Sequence, residues 1–231
     1  MLKRNKLFLL IIMILSVFLI SGCKNKNTDA YKFKEEYESL NGTTNSSGKE
    51  IRTINIIEDN PFIYATAEEI VEKINSKETF IVYFGFASCP WCRSVLETLI
   101  SASSSAGIKK IYYVDVSEIR DTYEIKDGTL VRINDGTKGY NELLTLLGSK
   151  LSDYTLNVDG KTINTGEKRI YAPNVVGIIK GEVNELTTGI SPLQTDAYME
   201  LTDEMINDTK ESFKKVLVRV FTALNSCDEA C

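Results

Sequence analysis

The motif Cys-Pro-Trp-Cys at residues 89–92 constrains the fold of this chain more than any other feature of its sequence. An apolar, strand-like run at residues 79–84 leads into the motif. Residues 93–103 lead out of it, with apolar side chains at the spacing of a half-buried helix. The first cysteine is therefore predicted to lie where a buried strand ends and a helix begins.

The predicted position of Cys89 at a helix start indicates a reactive thiol. A helix N-terminus carries about half a positive charge and several unpaired N–H groups, so it stabilises a thiolate and lowers the thiol pKa below its ordinary value of about 8.5. Cys92 can form a disulfide with Cys89 and release it again. The motif thus predicts a thiol–disulfide exchange site. A structural disulfide and half of a zinc site are the alternatives, and zinc would require Cys227 and Cys231 as further ligands.

Composition excludes several other chemistries. The 231 residues contain no histidine, which rules out Ser-His-Asp catalysis, Cys-His catalysis and histidine metal sites. The formal net charge is −5, which argues against nucleic acid as a partner. We expect no metal and no bound cofactor.

Residues 1–22 resemble a bacterial lipoprotein signal peptide. Three basic residues precede a short apolar run, and Leu-Ile-Ser-Gly-Cys at residues 19–23 resembles a lipobox. The resemblance implies cleavage before Cys23, acylation of the Cys23 sulfur, and a lipid-anchored protein on the extracytoplasmic side of the cell membrane. Removing the signal changes the formal charge to 24 − 32 = −8, which argues against a basic patch for lipid headgroups. An uncleaved anchor helix is the alternative.

Residues 23–50 are rich in Lys, Asn, Ser, Thr and Gly, and this composition predicts a flexible membrane tether with at most a short helix near residues 31–40. The folded domain is then expected at residues 51–231. Breaker clusters such as Asn41-Gly42 mark the boundary between the two.

The domain has a β-α-β-α-β pattern, which indicates an α/β fold with a sheet covered by helices. A first strand is predicted at residues 51–56, and Thr66 opens the next helix with a capping-box signature. Residues 117–168 form an insertion, in which we expect hairpins at Asp127-Gly128 and Asp159-Gly160 and a helix at 141–151. An apolar strand at residues 174–179, a turn at 180–182 and a long amphipathic helix complete the domain.

These features together resemble the thioredoxin family over residues 51–225, the insertion excepted. The resemblance rests on four features: the strand–Cys-Pro-Trp-Cys–helix unit, Pro173 before a buried strand, the turn at 180–182 and Gly189 before the last helix. The Pro-Trp dipeptide is more similar to glutaredoxins and bacteriocin-transport accessory proteins than to thioredoxin itself. The resemblance implies a thioredoxin-like fold, with a central mixed sheet flanked by helices and an insertion before the cis-proline strand.

The resemblance also implies roles for individual residues. Cys89 would attack and Cys92 would resolve the mixed disulfide. Pro173 would be a cis-proline opposite the pair, and the backbone of Ala172 would bind an extended substrate, as would Pro90 and Trp91. An ordinary trans turn is the alternative for Pro173.

The chain departs from the family pattern beneath the cysteines. Tyr83 stands where thioredoxin carries a buried Asp that assists the resolving thiol. Glu97 is a candidate substitute, although a solvated position on the helix is the preferred interpretation.

Cys227 and Cys231 lie at i and i+4 near the C-terminus. We favour a second disulfide between them, with unpaired or intermolecular thiols and a second redox pair as alternatives.

Two functions remain open. The first is a membrane-anchored thiol–disulfide oxidoreductase, of undetermined direction, acting on exported protein or peptide thiols and disulfides with an extracytoplasmic redox partner. The second is a non-catalytic, thioredoxin-like accessory lipoprotein that binds a transporter or a peptide.

Overall fold

A five-stranded mixed sheet carries the cysteine motif in the structure, a computed structural model that describes residues 27–226. Its strand order is β1-β3-β2-β8-β9; β1, β3 and β2 run parallel, and β8 and β9 are antiparallel to their neighbours. The sheet strands are β1 (Phe62–Tyr64), β2 (Phe80–Gly85), β3 (Ile111–Asp115), β8 (Asn174–Ile179) and β9 (Glu182–Thr187). The helices are α1 (Asp29–Glu38), α2 (Ala67–Asn75), α3 (Pro90–Ser105), α4 (Lys138–Leu147) and α5 (Asp203–Asn225).

Strand β2 lies at the centre of the sheet because both of its faces are apolar. All six of its residues are buried. Ile81 and Tyr83 face a core that includes residues of α1, α3 and α5, whereas Val82 and Phe84 face a core that includes residues of α2 and α4. The result is an α/β fold with helices on both faces of a mixed sheet, as the sequence predicted.

The elements around the motif begin where the sequence signals place them. Thr66 and Glu69 form the predicted capping box of α2. Lys180 and Gly181 both have positive φ, at 52° and 80°, and they connect β8 to β9 in the predicted turn.

The structure contradicts a flexible tether in the part of residues 23–50 that it describes, whereas the short helix expected near residues 31–40 is present. Residues 29–38 form α1, and the side chains of Phe33 and Tyr37 are 0% exposed in the core. The polar composition of this stretch obscured two aromatic residues at i and i+4, which lie on one face of a helix. The folded unit therefore begins well before Ile51.

The first predicted strand is also wrong. Ile51, Ile54 and Ile56 are buried, but residues 51–56 have no regular secondary structure and join no sheet. The edge strand is β1, which follows Pro61 and pairs with β3. The apolar and polar residues of this segment resembled the pattern of a strand.

The insertion contains two hairpins and one helix. The hairpins are β4 (Asp121–Lys126) with β5 (Thr129–Asp135), and β6 (Ser152–Val158) with β7 (Lys161–Arg169). Asp127-Gly128 and Asp159-Gly160 make the two predicted turns, all with positive φ. Helix α4 begins three residues before the predicted start, because Thr137 caps its N-terminus.

Several predictions lie outside the described residues: the signal peptide at 1–22, the lipidation site Cys23, and the pair Cys227 and Cys231. Between residues 27 and 226, none of the helices has the length and apolar character needed to span a membrane.

Candidate active site

Cys89 is the N-cap residue of α3. Its backbone is extended, with φ −70° and ψ 114°, and its Sγ accepts a hydrogen bond of 3.1 Å from the backbone N–H of Cys92. Pro90 follows at the first helical position, where a missing N–H costs nothing. The sulfur thus occupies the place of a capping oxygen and meets the positive end of the helix, as predicted.

The second part of the site is the peptide bond between Ala172 and Pro173, which is cis. The register of β2 with β8, in which Phe84 pairs with Asn174, brings this bond to the end of β2 that leads into the motif. The Ala172 carbonyl oxygen accepts a hydrogen bond from the thiol of Cys89 at 3.4 Å. The structure therefore brings Cys89, Cys92, Ala172 and Pro173 together, and the predicted cis bond is confirmed.

Both sulfurs are covered. Cys89 is 3% exposed, Cys92 is 0% exposed, and both are free thiols. Ser88 is exposed and Trp91 is half-buried beside them. Little of either cysteine is therefore exposed to solvent.

The two thiols differ in pKa. Burial raises the pKa of Cys89, but hydrogen bonds from the Cys92 thiol and from the N–H groups of Cys92 and Trp91, with the charge of Arg120, outweigh burial and lower it. Burial raises the pKa of Cys92 well above the ordinary value, and the hydrogen bond and charge of Cys89 add to this increase. Cys89 is consequently the more acidic thiol of the pair, and Cys92 the less acidic one.

Tyr83 occupies the position beneath the cysteines. Its side chain is 0% exposed, and its hydroxyl hydrogen-bonds to Cys92, which lowers the pKa of that thiol. Glu97 does not substitute for a buried carboxylate. It is exposed, and its Oε1 accepts the backbone N–H of Asn55 at 2.7 Å, which confirms the solvated interpretation.

Two arginines near the motif were missed by the sequence analysis. The insertion supplies Arg120, whose guanidinium lies 5.0 Å from the ring centroid of Phe86 and whose charge lowers the pKa of Cys89. Among the described residues, no group hydrogen-bonds to the buried Nε of Arg120. Because Arg120 is far from the motif in sequence, no sequence pattern indicated that it lies near the cysteines.

Arg93 is 1% exposed and holds the N-terminal segment against the motif. It donates hydrogen bonds to the carbonyl oxygens of Tyr37, Arg52 and Ala87 and to Oδ1 of Asn41. Because Ala87 lies in the loop that precedes Cys89, Arg93 fixes that loop directly. In the sequence, only the position of Arg93 on the apolar face of the predicted helix indicated that this arginine is buried.

Within residues 27–226, no group of three or more His, Cys, Asp or Glu side chains is arranged to hold a metal ion. No protein-family model matches the chain, and no curated protein is similar to it in sequence.

Proposed function

We propose that this protein is a thiol–disulfide oxidoreductase of thioredoxin-like fold that acts through Cys89 and Cys92. The proposal rests mainly on the position of Cys89 Sγ. This sulfur caps α3, 3.1 Å from the backbone nitrogen of Cys92, and lies 3.4 Å from the carbonyl oxygen of Ala172, the residue before the cis-proline. The sheet order β1-β3-β2-β8-β9, with its last two strands antiparallel, supports the thioredoxin-like assignment.

The chemistry is a pair of exchange steps. The Cys89 thiolate attacks one sulfur of a substrate disulfide, forms a mixed disulfide and releases the other substrate sulfur as a thiolate. Cys92 then loses its proton and attacks Cys89 Sγ, so that the Cys89–Cys92 disulfide forms and the remaining substrate thiol leaves. Two electrons pass from the pair to the substrate, and the reverse sequence oxidises a substrate dithiol.

The proposed cellular setting rests on the resemblance of residues 1–23 to a lipoprotein signal peptide and lipobox. We propose lipidation at Cys23, attachment to the outer side of the cell membrane, and exported proteins or peptides as substrates. A membrane or extracytoplasmic redox partner would restore the starting state of the pair. Trp91 and Pro90, beside the sulfur, and the backbone of Ala172 would contact the substrate.

Reduction of insulin disulfides, coupled to a chemical reductant, tests the proposal. We expect turnover by the lipid-free chain from residue 24, and we expect Cys89→Ser to abolish it while leaving the circular dichroism spectrum unchanged. A lack of turnover by the unaltered chain, or an equal rate with Cys89→Ser, would refute oxidoreductase function.

The exposure of Cys89, only 3%, favours a second candidate: a non-catalytic accessory protein that binds a transporter or peptide. In that case the cysteines would be structural, and Cys89→Ser would leave the biological phenotype intact. Complementation of a deletion strain with this variant distinguishes the two functions.

A further inference from the structure

Arg120 lies between the two segments that form the candidate active site. Its guanidinium is 5.0 Å from the ring centroid of Phe86, whose carbonyl oxygen accepts the backbone N–H of Cys89 at 3.1 Å. The next residue, Asp121, is bound on the other side. Its carbonyl oxygen accepts a hydrogen bond of 2.9 Å from Arg169 at the end of β7, the strand that leads to the cis-proline. These contacts join Arg120 both to the cysteine motif and to the cis-proline segment.

Arg120 is half-buried without an anionic partner in the described part of the chain. Between residues 27 and 226, its guanidinium forms no ion pair and no hydrogen bond, and its Nε is buried and unpaired. The other arginines in this range all donate side-chain hydrogen bonds to oxygen atoms: Arg52, Arg93, Arg132, Arg169 and Arg219. Because a charge withdrawn from water costs free energy unless it is paired, the unpaired guanidinium indicates a site for an anion.

The charges around Arg120 leave a positive excess. Burial and the charge of Arg169 lower the pKa of Arg120, although a guanidinium stays protonated at neutral pH. The adjacent carboxylate, Asp121, is paired with Arg169, at 3.5 Å between Nη1 and Oδ1, and the charge of Arg132 also acts on it. The Cys89 thiolate attracts Arg120, but a mixed disulfide removes that charge. The bound substrate then meets a cation that no carboxylate between residues 27 and 226 pairs.

We propose that Arg120 binds a carboxylate next to the disulfide of the substrate, so that this protein prefers protein or peptide disulfides flanked by Asp or Glu. The inference rests on the proposed oxidoreductase function and names the class of substrate for it. A guanidinium presents a planar set of N–H donors that matches a carboxylate, and such charge-assisted hydrogen bonds are among the strongest in proteins. The contact with the Phe86 ring holds the guanidinium without using those donors.

Three small disulfides that differ only in their terminal groups test this preference. 3,3′-Dithiodipropionate ends in carboxylates, bis(2-hydroxyethyl) disulfide in hydroxyls and cystamine in ammonium groups, each two methylene groups from the sulfur. The Cys89 thiolate attacks one sulfur and releases the other as a thiolate; Cys92 then displaces the second thiol, so the disulfide is reduced and the pair is oxidised. Rate constants are measured at about 0.15 M ionic strength, where distant charges are screened, by alkylation of the remaining thiols and mass spectrometry.

Arg120→Gln should lower the ratio of the dithiodipropionate rate constant to the hydroxyethyl disulfide rate constant by about tenfold, the scale of a hydrogen bond to a charged group. The ratio of the cystamine rate constant to the hydroxyethyl disulfide rate constant should rise. Removing the Arg120 charge also raises the pKa of Cys89, but this change affects all three reactions alike and cancels in the ratios. Arg120→Lys keeps the charge and loses the planar donors, so it should retain only part of the carboxylate preference.

Arg132→Gln is the matched control, because it removes the same charge from the same insertion. Arg132 is exposed, and its guanidinium pairs with Glu167 at 2.9 Å. Its loss should change the ratios by less than about twofold at this ionic strength. Unchanged thermal midpoints of the variants exclude a loss of folding as the cause of a changed ratio.

The outcomes separate the two proposals. If none of the disulfides oxidises the unaltered pair, the oxidoreductase function fails. If all three react and Arg120→Gln leaves the ratios unchanged, Arg120 acts on the Cys89 sulfur alone and only the carboxylate preference fails. An equal change of the ratios in Arg132→Gln would also overturn the preference, because the effect would then come from the net charge of the insertion and not from the position of Arg120.

Discussion

Replacing Phe33 by alanine removes a ring from the aromatic cluster that joins α1 to the sheet. The Phe33 side chain is 0% exposed. Its ring centroid lies 4.0 Å from that of Phe62 on β1, in a stacked arrangement, and 4.8 Å from that of Tyr113 on β3, edge to face. No exposed neighbour is available to fill the space, because Phe62 and Tyr113 are themselves buried.

The expected loss of stability follows from this burial. Truncating a fully buried phenylalanine costs about 3–5 kcal/mol, which combines the lost transfer free energy with the cavity that remains. The two aromatic contacts place Phe33→Ala in the upper half of that range. In a protein of this size each kcal/mol corresponds to about 2–4 °C, so the melting temperature should fall by roughly 8–20 °C.

Urea unfolding followed by circular dichroism measures this loss, with thermal melting as a second readout. Ile57→Ala is the control, because Ile57 lies in the same N-terminal region but is 54% exposed. It should change the free energy of unfolding by no more than about 0.5 kcal/mol. A loss below about 1 kcal/mol for Phe33→Ala would show that α1 is not part of the folded core, and the reasoning from burial would be refuted.

Two further predictions concern the reactive thiol. Because the pKa of Cys89 is lowered, its alkylation by iodoacetamide should stay fast below the ordinary cysteine pKa of about 8.5 and slow only as pH falls through the lowered value. Arg120→Met should move that inflection to higher pH, and an unmoved inflection would show that the Arg120 charge does not act on the sulfur. Trp91, the single tryptophan, adjoins both cysteines, so its fluorescence should change when the Cys89–Cys92 disulfide is reduced. An unchanged signal, in a sample that mass spectrometry shows to be oxidised beforehand, would count against an active pair.

The central elements could be predicted because local sequence and tertiary environment agree there. Strand β2 is apolar on both faces and is buried on both faces. Helix α3 has a cysteine at its N-cap and a proline at its first position, which mark its start without any tertiary information. The hairpin turns at Asp127-Gly128 and Asp159-Gly160 were predictable for the same local reason.

The N-terminal region could not be predicted because its structure depends on distant partners. The stretch 23–50 is polar by composition, yet Phe33 and Tyr37 contact aromatic residues on β1, β2 and β3. Residues 51–56 have apolar residues at intervals that resemble a strand, but a strand needs a hydrogen-bonding partner as well as a pattern. The overall composition of a segment therefore does not show whether a few of its side chains are buried.

At the candidate site, the cysteines and the cis-proline were predictable from sequence, whereas Arg93 and Arg120 were not. Arg93 satisfies four oxygen acceptors, on residues spread from Tyr37 to Ala87, and the insertion brings Arg120 beside a motif some thirty positions earlier. Such contacts arise only when separate segments pack together. The spacing of the motif identifies the reacting cysteines, whereas tertiary packing determines which charged side chains lie near them.

The tyrosine at position 83 and the N-terminal helix are linked by a single physical requirement. A hydroxyl buried beneath the cysteines costs free energy unless it has a hydrogen-bonding partner. Tyr37 provides that partner for Tyr83 at 3.3 Å, and it can do so only because α1 packs on this face of the sheet. Replacing the helix by an unstructured tether would therefore remove the tyrosine partner of this hydroxyl next to the resolving thiol. The departure at Tyr83 and the failed tether prediction have the same explanation: α1 is part of the environment of the cysteines.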